Sequence, residues 1–158
     1  MFPIRCILCP TDFSKPSHEA IKAANELARQ FSAELILFHV LDPIPKLPPY
    51  GGVFGVDLEA ILSKADAAAR NSLEKLAEKK ISTAVPTRIV TATGVPADEI
   101  EKFAAAEPVD MIVIATHGHT GWRHLVFGSV AEKVVRHAGC PVVTIRDSKK
   151  NKNKSQAA

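Results

Sequence analysis

The chain has 158 residues, 46% apolar and 6% aromatic, with a formal net charge of +3. That length suits one domain able to bury about 70% of the surface its unfolded chain exposes. Residues 146–154 hold five basic side chains against one acidic, so the remaining body is close to neutral and no basic nucleic-acid face is expected.

Residues 4–9, Ile-Arg-Cys-Ile-Leu-Cys, form a short apolar run that reads as a first strand. Cys6 and Cys9 spell C-x-x-C. Three residues apart in a strand they point to opposite faces, so they cannot pair as a dithiol. All three cysteines are expected as small buried hydrophobes, and their odd number suits a reducing cytoplasm. Pro10, Thr11, Asp12 and Phe13 end the strand, and Ser14 before Lys15-Pro16 suits a helix cap. Ala20, Ala24, Leu27 and Phe31 recur at helical spacing. Residues 34–40 read as the second strand, with His39 expected in the core.

Residues 42–56 hold four prolines and three glycines, which predicts a long irregular loop; loops of that length are usually functional or mobile. Leu58, Ile61, Leu62, Ala65, Ala69, Leu73, Leu76 and Ala77 then trace a helical stripe. A third strand is expected within residues 83–90, with Pro86 marking an edge position. Residues 91–94 turn into a helix begun at Val95-Pro96, with acids in its first turn and Ile100, Phe103 and Ala104 on its inner face. Residues 111–115 are an uninterrupted apolar run, the pattern of a strand covered on both faces. A polar loop with Gly118, Gly121 and Gly128 follows, and Ser129-Val-Ala-Glu132 reads as a capping box opening a helix. Gly139 is expected to stop that helix near His137, and residues 141–145 form the last strand.

Five strands and four helices in strict alternation predict an α/β fold: a single doubly wound, five-stranded parallel sheet, Rossmann-like, with right-handed crossovers and helices on both faces. The domain is expected to span residues 1–147, and the polar, basic tail 148–158 to be disordered. No apolar run reaches the ~20 residues of a membrane span, and residues 1–5 carry no secretory pattern.

In such a sheet, ligands sit beyond the carboxyl ends of the strands where the winding reverses. With strands one and four adjacent at that reversal, Pro10-Thr11-Asp12 converges on the loop from Ala115 to Gly128. Free amides and the positive dipole end at the next helix favour an anion there, and glycine lets a phosphate approach backbone. A carboxylate facing such a nest suits a mononucleotide. Plainer readings stand beside this one: the glycines shape a turn, Asp12 caps its own turn, and Ser129 caps its helix. Neither GxxxxGK[ST] nor GxGxxG occurs. His117 and His119, with His124 nearby, lack a cysteine or carboxylate at matching spacing, so no metal site is expected. His119 and Arg123 suit a phosphate or plain surface, and Trp122 and Phe127 suit loop packing.

Three segments together carry a resemblance: Ile-Leu-Cys-Pro10-Thr-Asp12-Phe-Ser, Phe-His-Val40-Leu-Asp42, and Ala115-Thr-His-Gly118 followed after nine residues by Gly128-Ser129. In order and spacing, over residues 4–145, they resemble the universal stress protein family. The resemblance implies strand order 3-2-1-4-5, a cytoplasmic stress-associated protein, and a homodimer through the last strand, from Pro141 to Ile145. ATP-binding members carry G-x2-G-x9-G-[ST] after strand four; Gly118, Gly128 and Ser129 match, while Ala115 replaces the first glycine. By the same resemblance Pro10, Thr11, Asp12 and the backbone of Val40 line the adenosine end, and Gly118, His119, Gly128, Ser129 and Val130 hold phosphates.

The leading expectation is therefore an ATP-binding regulatory protein, with Mg2+ as a companion ion, that signals by nucleotide occupancy and hydrolyses ATP slowly at most. No evident catalytic base or activated nucleophile is present. The alternative is a nucleotide-independent dimeric interaction protein using the 42–56 loop and the dimer surface. An adenylyl-transferring enzyme would need a glycine- and serine-rich loop after strand one, which residues 10–14 do not supply.

Overall fold

Five short runs form strands: β1 (Cys6–Pro10), β2 (Glu34–Leu41), β3 (Thr87–Thr93), β4 (Met111–Ala115) and β5 (Val142–Ile145). Four helices alternate with them: α1 (Lys15–Phe31), α2 (Leu58–Lys80), α3 (Pro96–Ala106) and α4 (Ser129–His137). The structure, a computed structural model, describes residues 3–42, 57–117 and 128–146. The strands make one parallel sheet in the order β3-β2-β1-β4-β5, the doubly wound arrangement expected. The register sets Cys6 opposite Glu34, Ile7 opposite Met111, and Ile112 opposite Val142.

Strand alternation divides the core in two. Ile7, Cys9, Leu35, Leu37, Val113 and Ala115 pack with Ala20, Ile21 and Ala24 of α1 and with Leu73 and Leu76 of α2. Cys6, Leu8, Ile36, Phe38, Ile112 and Ile114 pack on the other face with Ala97 and Ile100 of α3 and Ala131 and Val134 of α4. Cys6 and Cys9 thus lie on opposite faces. Burial pushes the Cys9 thiol up to about 12. Burial, helped by the charge of Glu34, pushes Cys6 up to about 11. Cys140 differs from expectation in being only half-buried, packed against the second cluster.

The bounds of α4 are those expected, but one strand boundary and both caps of that helix depart from the sequence reading. β3 starts after Pro86 and runs on through Thr93, because Thr87 to Thr93 pair residue for residue with Leu35 to Leu41 of β2. The long neighbouring strand outweighs the local pattern, and Val85 N–H is spent on a turn to Ser82 O. α4 is capped by Gly128, not Ser129, and has no side-chain cap; Glu132 pairs with Arg136 at 2.8 Å instead of reaching back. The cause is Gly128 N–H, which donates to Thr116 O at 2.6 Å and delivers Ser129 already in the helix. Gly139 is not the stop either, since the helix closes on Ala138 with ordinary extended angles.

Ser14 caps α1 by accepting from Ser17 N–H at 3.3 Å, as its position predicts. In α2 the apolar stripe buries Ala69, Leu73 and Leu76, while Leu58 and Ile61 near its start remain exposed. The expected loop, save Asp42, and the tail 148–158 lie outside the described residues. No helix among the described residues is long and apolar enough to cross a membrane.

Candidate functional site

The winding reverses between β1 and β4, and there the carboxyl ends of β1, β2 and β4 open onto a cleft of about 270 Å³, near the lower end of small-ligand pockets. Pro10, Thr11, Asp12, Val40, Ala115, Gly128, Ser129 and Val130 all line it. Gly118 and His119, with Gly121, Trp122, Arg123, His124 and Phe127, lie outside the described residues.

One wall is the β1–α1 turn. Thr11 N–H donates to Phe38 O at 2.9 Å, carrying the turn past the end of β1. Phe13 follows at φ 62, a left-handed conformation uncommon for a bulky side chain. Its amide donates to Thr11 Oγ1 at 3.1 Å. Asp12 Oδ1 accepts from Ser14 N–H at 3.0 Å, so the carboxylate both closes its own turn and borders the cleft. Ser17 Oγ donates to Ser14 O, which leaves Thr11 Oγ1 as donor in its 2.8 Å contact with Ser17 Oγ. The buried hydroxyls therefore form one directed chain.

The opposite wall is the β4–α4 junction. Thr116 N–H donates to Ile145 O at 2.9 Å, and Thr116 O receives Gly128 N–H. A Cβ at Gly128 would stand 3.3 Å from Thr116 O and 3.8 Å from His117 Cα. The backbone there, φ −74 and ψ 158, is open to any residue, so glycine is favoured by close approach and not by its angles. Because α4 has no side-chain cap, its first turn offers amide donors and a positive dipole end at the cleft edge. Between the two walls the lining is apolar, from Phe38, Val40, Pro96, Ile100 and Ile114. Ala115 is 8% exposed, and its place in the core is on the α1 face with Val113, opposite the face of Ile114.

Sequence reasoning missed several lining residues. Pro96 and Ile100 read as helix-start and inner-face positions, and Ser17 carried no signal of its own; all three line the cleft. His117, considered as a metal ligand, lines the cleft with Nδ1 2.9 Å from the hydroxyl of buried Thr116. His39, expected in the core, is half-buried and lines the cleft, with Nδ1 2.8 Å from Thr11 O and its ring 4.5 Å from that of Phe13. Nearby, burial and then the charge of Lys80 hold His18 below the usual imidazole range, against the opposing pull of Asp12. Among the described residues, no three His, Cys, Asp or Glu side chains gather to hold a metal.

Known proteins share this fold. A universal stress protein of Methanocaldococcus jannaschii is 37% identical over 149 residues, covering 91% of this chain and 83% of its own. The solved structure of a second M. jannaschii universal stress protein superposes with a TM-score of 0.78 at 27% identity, over 94% of this chain and 99% of its own. The universal stress protein UspA of Lactobacillus plantarum gives 0.71 at 28% identity, over 92% and 100%. Three further universal stress proteins with the same fold were solved as complexes. One holds cAMP (19% identity, TM-score 0.66), one from Archaeoglobus fulgidus holds dAMP (23%, 0.55), and one from Arabidopsis thaliana holds AMP (21%, 0.61). At those identities the likeness to this chain is one of fold. Residues 3–146 match the universal stress protein family, and the chain belongs to that family.

Proposed function

We propose that this protein binds an adenine nucleotide, ATP with Mg2+ foremost, in the cleft between β1 and β4 and acts in the stress response through nucleotide occupancy. The observation that carries this reading is the meeting of Asp12 with the uncapped start of α4 across an apolar floor. The residues present fit such a ligand. The apolar stretch of Val40, Pro96, Ile100 and Ile114 suits a base, Asp12 can accept from ribose hydroxyls, and the first amides of α4 with Gly128 and Ser129 suit phosphate. The solved relatives that hold cAMP, dAMP and AMP support an adenine nucleotide as the ligand class. Bound Mg2+ would neutralise phosphate charge.

The same proposal includes a homodimer through β5. That strand is the outer edge of the sheet and is only half-buried along its length, so its outward amides are open to pairing with a second copy. Calorimetric titration with ATP and Mg2+ tests the nucleotide reading: saturable binding is expected. A flat titration at millimolar ATP would overturn it in favour of a nucleotide-independent interaction protein.

A further inference from the structure

We infer that His39, through its hydrogen bond to Thr11 O, is the positioning residue that fixes the Asp12 turn for ligand. The inference rests on the nucleotide reading above and assigns a new role within that site. A carbonyl oxygen only accepts, so the 2.8 Å contact between His39 Nδ1 and Thr11 O requires the proton on Nδ1. The imidazole is thereby held in one tautomer. Its ring lies 4.5 Å from that of Phe13, tilted by 46°. Phe13 is the residue at φ 62, and such backbone persists only where the surroundings over-determine it.

The surroundings do so from two sides. Within the turn, Thr11 Oγ1 takes Phe13 N–H and Asp12 Oδ1 takes Ser14 N–H. From β2, the backbone of Phe38 receives Thr11 N–H while the next residue, His39, donates to Thr11 O and supports the Phe13 ring. Thr11 is thus gripped at both its amide and its carbonyl by consecutive residues of one strand. Asp12 stands between the gripped residue and the strained one. Its carboxylate position against the cleft is therefore set through the grip of His39 on Thr11.

Two substitutions separate the contacts. His39→Asn places an amide nitrogen where Nδ1 stood and retains the donor while losing the ring; His39→Phe retains a ring and loses the donor. Titration with ATP and Mg2+ should show His39→Phe weakened by about tenfold, the scale of one lost hydrogen bond at a positioned group. His39→Asn should stay within about threefold of the parent, with all three melting within about 4 °C. Rescue by asparagine at equal stability is a result that simple loss of packing does not produce. If the parent binds ATP and His39→Phe binds it equally well, the positioning role is overturned while the nucleotide reading stands. Weakening of both variants in step with a large fall in melting temperature also overturns it, since His39 would then act only through stability. A parent that binds no nucleotide overturns the underlying reading, and this role with it.

Discussion

Gly128 shows how one residue serves both the fold and the proposed ligand. Its amide closes the β4–α4 junction on Thr116 O, and the 3.3 Å that a Cβ would have from that oxygen is tight enough that a side chain there requires the junction to shift slightly. Gly128→Val should cost about 1–3 kcal/mol by overpacking and weaken ATP binding by more than about tenfold as the phosphate approach is filled. Parent-like affinity would remove the phosphate from this loop. Ala115 should behave otherwise. Its placement with the α1-face core, away from the face of Ile114, means that Ala115→Gly loses about 1 kcal/mol of stability from a buried methyl and a freer strand without tightening ATP binding. A tighter complex would show that the methyl obstructs the ligand after all. The thiol of Cys9 supplies a pH test. Its pKa rises from 9.0 unfolded to about 12 folded, so its contribution is whole below pH 9 and is lost as pH climbs toward 12. Over that window it lowers folding stability by about 1.4 kcal/mol per pH unit. Urea unfolding should therefore fall off more steeply with alkaline pH in the parent than in Cys9→Ala, and equal slopes would contradict the burial of this thiol.

Elements were legible in the sequence where burial wrote a pattern and illegible where a neighbour decided the end. Residues 111–115 have apolar side chains toward both faces of the sheet, so the run read directly as β4. β3 did not, because its half-buried residues gain their order from pairing with β2. The capping box at Ser129 looked sound locally but yielded to the tertiary bond between Gly128 and Thr116. Asp57 is a different case, a cap fixed by its own side chain, which accepts from Ala60 N–H at 3.0 Å. Asp57→Ala should cost about 1 kcal/mol of stability, read by urea unfolding; no loss would mean that the first turn of α2 contributes little to the folded state. The cleft was legible as the meeting of the β1 and β4 ends, since topology alone brings them together. His39 was not, because a polar residue at a strand end signals neither the carbonyl it bonds nor the turn it holds.

At the scale of the molecule, the outer edge of β5 is the surface from which the proposed dimer would be built. Pro141 O and Ile145 O accept from Ile112 and Thr116 of β4, and alternation then turns the groups of Val142 and Thr144 outward. Thr144→Pro removes an outward amide while sparing the β4 side. Light scattering at micromolar concentration should find the parent dimeric, Thr144→Pro monomeric, and a chain truncated after residue 148 still dimeric; loss of the dimer on truncation alone would place the contact in the tail. The β1–β4 reversal lies one strand in from that edge, and the proposed nucleotide site there is best tested by a 15N NMR titration of the full chain with ATP and Mg2+. The largest amide shifts should fall on Val40, Ser129 and Val130, with Arg88 at the far end of β3 unmoved; shifts absent at millimolar ATP, or clustered away from these three residues, would contradict the site.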